Sequence, residues 1–254
     1  MKKIMKKSIV VGLGEVGSPM HKLLSKKTIT IGYDVDQKLM NQKKFKRYEN
    51  YKTLFLHICI PYIKNFDSHI LKLEKKFQPQ GIVIHSTIKP STTSSIQRKL
   101  QIPVIYSPTR GVHKRMLKDL RRYTKFFAIE NNAPNKKWAC REFVKLLKKS
   151  GLKAKQMSSP ITLELGKIVC DTSYYGWLIN FAQISKIIAD RENVDYNEIW
   201  SFSDEIHKFL GNRPKMFPGF IGGHCVIPNL ELLNDNSLNQ IRQINNLFKK
   251  ISNV

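Results

Sequence analysis

Residues 10–20 read VVGLGEVGSPM. A β-branched run ends on Gly12, and Gly12, Gly14 and Gly17 follow in G-x-G-x-x-G spacing where an amphipathic pattern begins. Each glycine answers a separate demand. Gly12 allows the tight turn out of a strand, Gly14 lets backbone approach a pyrophosphate, and Gly17 lets helix and strand pack closely. Glu15 and Val16 lie inside that turn, so their backbone faces the same anion at the positive end of the helix. The next β-branched run, TITIGYDVD, reaches Asp34 twenty residues after Gly14. A carboxylate there accepts ribose hydroxyls and repels a 2'-phosphate, which favours NAD over NADP as cofactor.

The pattern continues outward from this motif. Short β-branched runs at 8–11, 28–33, 53–59, 81–85, 104–106, 126–129 and 153–157 alternate with helical stretches at 15–25, 37–45, 65–77, 92–100 and 135–150. This order predicts an α/β fold, a Rossmann-type doubly wound parallel sheet with helices on both faces, over residues 1–158. From Pro160 the pattern turns helical without interruption to about residue 190, a helix about 45 Å long at the usual rise. A second helix at 195–210, a Gly/Pro loop at 211–229 and a polar C-terminal helix complete a smaller all-helical domain, 159–254, on this long central helix. Two further segments, HICIPY with Pro61 and IHSTIKPSTT with Ser86 and Thr87, fall at the carboxyl ends of strands, where open α/β sheets bind ligands. Pro61 and Ser86 are candidate cofactor contacts and Thr87 a cofactor or water contact; Ser91 and Thr92 read as helix caps.

Composition narrows the class. The 254 residues carry 44 Lys+Arg against 19 Asp+Glu, a formal charge of +25, with 41% hydrophobic and 25% charged residues. That profile folds, and its sign attracts nucleotides, acidic sugars or nucleic acid. The cations are scattered as pairs along nearly every expected helix, which fits solvated faces better than a dedicated nucleic-acid surface. Four dispersed cysteines without a C-x-x-C pair suit a reducing compartment and no metal site. The basic start runs directly into the glycine motif rather than a signal-peptide core, and no apolar stretch has the length of a membrane span. A soluble, cytoplasmic protein is expected.

The order GLGEVG, YDVD, ICIP, HSTIKPSTT, YSPTRG, ELGK and GGHC resembles the UDP-glucose and GDP-mannose (nucleotide-sugar) dehydrogenase family. The resemblance implies two NAD-linked oxidations of a sugar alcohol through a thioester on a loop cysteine, as in UDP-glucose 6-dehydrogenase. It places Cys225 as that nucleophile, on a loop where Gly222 and Gly223 permit close approach and His224 adds a substrate contact. It places Lys167 as the ammonium that stabilises developing negative charge. Glu164, three residues earlier, falls within pairing distance of Lys167 on a helix and is a candidate substrate contact. The resemblance also implies a homodimer built on the 160–190 helix.

The departures carry equal weight. Four residues after Lys167 the family usually has Asn and this chain has Asp171; four after Cys225 it usually has a catalytic Asp and this chain has Asn229. An amide is no base, so Asp171 and Asn229 are both candidates for the hydrolytic step, with their roles open. The family's S-P-E loop reads SPTRG, where Arg110, near His113 and Lys114, would clamp an acidic group. The chain also ends where the family's third, UDP-binding domain would follow, so a truncated form is expected, with a nucleotide sugar or a smaller sugar as substrate. Two other readings stay open: a single-step dehydrogenase of a small hydroxy acid or alcohol, and a basic NAD-binding protein without turnover that binds nucleic acid.

Overall fold

The structure is a computed structural model that describes residues 5–210, 218–223, 225–233, 236 and 239–252. The chain divides into two compact units, Met1–Leu165 and Gly166–Val254.

The first unit is built on a seven-stranded sheet. Its strands are β1 (Lys6–Val11), β2 (Thr30–Tyr33), β3 (Lys52–Ile58), β4 (Gly81–Ile84), β5 (Val104–Tyr106), β6 (Lys125–Ile129) and β7 (Ala154–Gln156), in the spatial order β2-β1-β3-β4-β5-β6-β7. All seven expected runs form strands. The sheet departs from the expected all-parallel arrangement at one place: β6 runs antiparallel to β5, pairing Ile105 with Ile129 and Tyr106 with Ala128. The chain enters β6 at the end where it leaves β5, and hydrophobic periodicity carries no information about strand direction.

Both faces of the sheet are covered, which is why its central strands read as nearly continuous apolar runs. Val10, Phe55, Val83, Ile105 and Phe127 point to one face and pack with α1 (Gly17–Leu24), α5 (Met116–Arg122) and α6 (Lys136–Lys149). Their neighbours Ile9, Leu56, Ile82, Val104 and Ala128 point to the other and pack with α3 (Phe66–Phe77), α4 (Thr92–Gln97) and α7 (Pro160–Leu165). A short helix, α2 (Gln42–Arg47), precedes β3. Each fully buried aliphatic or aromatic side chain contributes about 1.5–3 kcal/mol. The chain moves outward from β1 to β2, then returns to place β3 on the other side of β1. The carboxyl ends of β1 and β3 therefore form the topological switch point, where such sheets bind ligands.

The second unit is helical. A π-helical segment, Gly166–Ser173, leads into α8 (Tyr174–Arg191), followed by α9 (Tyr196–Ser201), α10 (Asp204–Leu210), α11 (Val226–Leu233) and α12 (Asn239–Ile251). The uninterrupted 160–190 helix is thus corrected to three segments, with a π-helical stretch between α7 and α8. Thr172 and Ser173 stabilise that wider turn by donating their hydroxyls to the carbonyls five residues back, Lys167 at 3.0 Å and Ile168 at 2.8 Å. The helix expected at 195–210 is two helices, the first capped by Asp195, whose carboxylate accepts from Asn197 and Glu198 N–H. The loop expected to reach residue 229 ends at Cys225, directly before α11. Ile221, Val226, Leu230 and Ile241 form this unit's core. No helix among the described residues is long and apolar enough to cross a membrane.

Candidate functional site

The glycine loop has three distinct environments. Gly12 sits at φ +84°, and a Cβ there would lie 2.9 Å from the Cys59 carbonyl oxygen. A Cβ at Gly17 would overlap the Gly12 carbonyl oxygen at 1.6 Å. At Gly14 a Cβ would meet nothing within 4 Å. The outer glycines are required by the protein's own packing, whereas Gly14 faces open space. That is the arrangement a diphosphate needs, with backbone exposed beside the start of α1. Val16 is the residue before α1, and its first turn carries no acidic side chain to compete for the anion.

Asp34, just past β2, is held over this loop. Its Oδ2 accepts from Leu13 N–H at 2.6 Å and its Oδ1 from Asp36 N–H at 2.9 Å. Neighbouring loops join the same edge. Ser86 Oγ donates to the Ile60 carbonyl at 2.5 Å, tying the end of β4 to the segment before Pro61, which is exposed. Thr87 is half-buried beside it. Glu15 Oε2 lies 2.6 Å from His113 Nδ1, so the loop after β5 meets the glycine loop. Gly12, Gly14, Glu15, Val16, Gly17, Asp34, Pro61 and Ser86 therefore follow the carboxyl ends of β1 to β4, and their donors and carboxylate fit a dinucleotide.

Several expected roles are replaced. Ser91 takes a left-handed conformation without capping α4 through its side chain, and no cap bond from Thr92 takes its place. Glu164 caps α4 instead: its carboxylate accepts from Ser91 N–H at 2.7 Å, Thr93 N–H at 3.0 Å and Thr93 Oγ1 at 2.6 Å. Glu164 is 0% exposed, and burial raises its pKa against the lowering effect of those bonds. It therefore does not pair with Lys167, and its carboxylate is occupied by the fold. Arg110 does not reach outward as an anion clamp: its guanidinium lies 4.7 Å over the Phe126 ring and donates to the Thr124 carbonyl at 2.8 Å.

A buried polar row beneath these loops was not anticipated. His57 Nδ1 and His85 Nε2 lie 2.9 Å apart, and His85 Nδ1 is 2.9 Å from the Ser107 carbonyl. Lys125 donates to the Ser107 and Pro108 carbonyls, each at 2.8 Å, and to Thr109 Oγ1 at 3.1 Å. The neutral rings must run in one sense: His85 donates to the carbonyl, so His57 donates to His85, and His57 Nε2 is left without a hydrogen-bond partner. Burial, reinforced by the Lys125 charge, pushes the His57 pKa down to about 3 and that of His85 well below its usual value. Burial also pushes the Cys59 thiol up to about 12, so Cys59 stays protonated at neutral pH. A lysine opening the apolar run KFFAI was the available signal for this row.

In the second unit the π-helical segment gathers the expected residues. Lys167 Nζ pairs with Asp171 Oδ2 at 2.5 Å, and the lysine side chain is only 12% exposed. Asn229, buried on α11, donates from Nδ2 to Thr172 Oγ1 at 3.5 Å. Asp171 and Asn229 thus have different partners, Lys167 for the first and Thr172 for the second. α11 packs on the π-helical segment, and Cys225, exposed, directly precedes it. Gly222 and Gly223 are exposed, Gly223 at φ +73°. His224 lies outside the described residues.

No protein-family profile and no curated protein sequence matches the chain. Solved structures do. The chain is similar to UDP-D-ManNAc dehydrogenase from Pyrococcus horikoshii at 17% identity and a TM-score of 0.78, over 97% of this chain and 69% of that one. It is similar to UDP-N-acetyl-mannosamine dehydrogenase from Staphylococcus aureus at 19% identity and a TM-score of 0.70, over 97% and 69%. It is also similar to 3-hydroxyisobutyrate dehydrogenase from Mycobacterium tuberculosis at 13% identity and a TM-score of 0.68, over 98% and 94%. At these identities the likeness shows the fold: a Rossmann-like α/β unit of the kind found in these dehydrogenases.

Proposed function

We propose that this chain is an NAD-dependent dehydrogenase of a nucleotide sugar. The observation that carries the reading is the glycine loop with Asp34 bonded across it to Leu13 N–H, with open space only at Gly14. The backbone around Gly14, Glu15 and Val16 would hold the diphosphate, and Asp34 the adenosine ribose. When bound, NAD would supply the hydride acceptor, one molecule for the alcohol carbon and a second for the thiohemiacetal carbon.

The second unit supplies the covalent chemistry. The Cys225 sulfur adds to the aldehyde carbon, forming a C–S bond, and the carbonyl oxygen takes a proton to give a thiohemiacetal. Loss of hydride and that proton leaves a thioester; water then adds, the C–S bond breaks and a carboxylate leaves. Lys167 stabilises negative charge on the substrate oxygen as each hydride departs. Asp171, a carboxylate held by Lys167, takes the proton of the attacking water, a task the amide of Asn229 cannot perform. Thr87, in the first unit, is a contact for the cofactor or for a water. Gly222 and Gly223 border the sugar. The exposed aromatics of α8, with Phe181 58% and Tyr174 54% exposed, support a homodimer formed through that helix. The compartment is the cytoplasm.

The test is NADH formation by the purified protein with a panel of UDP- and GDP-sugars, before and after Cys225→Ser. The expected result is turnover with at least one sugar and its loss in the variant. NAD binding without NADH from any sugar would overturn it. The likeness over nearly the whole length of a 3-hydroxyisobutyrate dehydrogenase supports a second reading, a one-step oxidation of a small hydroxy acid with Lys167 as acid/base. Cys225→Ser spares that activity.

A further inference from the structure

Among the described residues of the second unit, three amide side chains are wholly buried: Asn180 and Gln183 on α8 and Asn245 on α12. Buried amides are retained where their donors and acceptors find partners; Asn245 and Gln183 find theirs on the backbone of Ile221 and Gly219, while Asn180 supports Gln183 and keeps its Oδ1 without a partner. Asn245 Oδ1 accepts from Ile221 N–H at 2.7 Å, and its Nδ2 donates to the Ile221 carbonyl at 3.2 Å. The side chain thus meets Ile221 as a neighbouring strand would. Gln183 Nε2 donates to Asn245 Oδ1 at 3.1 Å and to the Gly219 carbonyl at 2.8 Å. Asn180 Nδ2 donates to Gln183 Oε1 at 2.8 Å and to the Ile241 carbonyl at 3.3 Å, linking α8, α12 and the loop.

The clamped residue lies four positions before Cys225. Ile221 also buries its side chain beside Val226, the first residue of α11, and Lys249 sits 5.1 Å over the Phe220 ring. The chain is therefore fixed on both sides of Cys225, by amides at Ile221 and by apolar packing at Val226. The thiol itself is left exposed. Apolar side chains alone would have filled the space between α8 and α12. Amides add direction, because they fix the height and rotation of one peptide unit.

We propose that Asn245, supported by Gln183 and Asn180, is a positioning residue: it sets the backbone at Ile221 and thereby the placement and reactivity of the Cys225 thiol. This rests on the reading of Cys225 as a nucleophile, and the test separates the two.

Iodoacetamide alkylation of the full chain, resolved by mass spectrometry, gives the rate at Cys225 relative to exposed Cys170 in the same molecule. Asn245→Leu should shift that ratio by about fivefold or more, the equilibrium weight of one net hydrogen bond. Asn245→Asp keeps the acceptor for Ile221 N–H and should recover part of the wild-type ratio. NAD affinity should stay unchanged in both, and any turnover should be lost through kcat. A folded Asn245→Leu protein with an unchanged ratio overturns the proposal. Gln183→Met, which removes the supporting bonds, is the second variant should Asn245→Leu unfold. Hydrogen exchange in the wild type decides in every case: the Ile221 amide must be protected, and rapid exchange there refutes the clamp. If the wild type forms no NADH but shows the protected amide and the shifted ratio, the clamp stands and the dehydrogenase reading fails.

Discussion

Alanine at Gly17 and alanine at Gly14 should have opposite consequences, although the two glycines stand three residues apart. At Gly17 the added methyl would lie 1.6 Å from the Gly12 carbonyl oxygen, 2.8 Å from its carbon and 3.2 Å from Cys59 Cβ. The first two obstacles are backbone atoms of the turn between β1 and α1, so relief requires moving the helix off the strand. Overpacking that ordinary cores absorb costs about 1–3 kcal/mol, and a backbone collision belongs at or beyond the top of that range. About 3 kcal/mol lowers Tm by about 6–12 °C in a protein of this size. At Gly14 nothing lies within 4 Å and φ is not positive, so alanine fits the existing backbone. Reduced freedom of the unfolded chain then makes Gly14→Ala neutral or stabilising by about 0.4–1 kcal/mol. The methyl does stand where a diphosphate must approach, and NAD affinity should fall at least tenfold, about 1.4 kcal/mol. Thermal unfolding followed by circular dichroism, paired with NAD titration, reads both quantities. Equal Tm losses in the two variants, or full NAD affinity in Gly14→Ala, would refute the assignment of separate tasks to these glycines.

Other consequences follow from the buried groups. His57 is held neutral with its folded pKa lowered to about 3, so the unfolded chain binds the extra proton as pH falls. Its stabilisation is present above its unfolded pKa and is lost toward pH 3, adding a slope of about 1.4 kcal/mol per pH unit. Denaturant unfolding of His57→Leu across that window should show a shallower dependence; an unchanged slope would contradict the neutral histidine row. Glu164→Gln removes the carboxylate that caps α4 and should cost about 1–2 kcal/mol. Because burial raises the folded pKa of Glu164, its contribution is present at acid pH and declines as pH rises through that raised value, a trend the Gln variant should lack in urea titrations. Asp171→Asn breaks the pair with Lys167 and should slow the hydrolytic half of the reaction more than the first oxidation, leaving a thioester on Cys225 detectable by mass spectrometry. Equal slowing of both halves would show that Asp171 only orients the lysine.

Much of the first unit was legible because its information is local. Seven β-branched runs and the spacing of Gly12, Gly14 and Gly17 announce strands and a turn without reference to distant residues. Strand direction is not local, and the reversal of β6 went unread. Glu164 illustrates the same limit at a single site: its three donors come from Ser91 and Thr93, more than seventy residues away. Sequence spacing offered Lys167 as its partner, while the π-helical turn gave Lys167 to Asp171. Arg110 was read as an anion clamp from its neighbours in sequence, but Phe126 and the Thr124 carbonyl, reached by folding, hold it inward. Asn245 carried no motif at all, because an amide declares its task only when the backbone it grips is in place.

Every proposed step requires that the β1–α1 loop and Asp34 bind a dinucleotide. Isothermal calorimetry of NAD into the purified chain, repeated on Asp34→Ala, tests it most directly. Saturable binding of one NAD per chain is expected, weakened at least tenfold, about 1.4 kcal/mol, in the variant. A wild type that releases no binding heat and shows no thermal shift with NAD, or a variant that binds as tightly as the wild type, would contradict it.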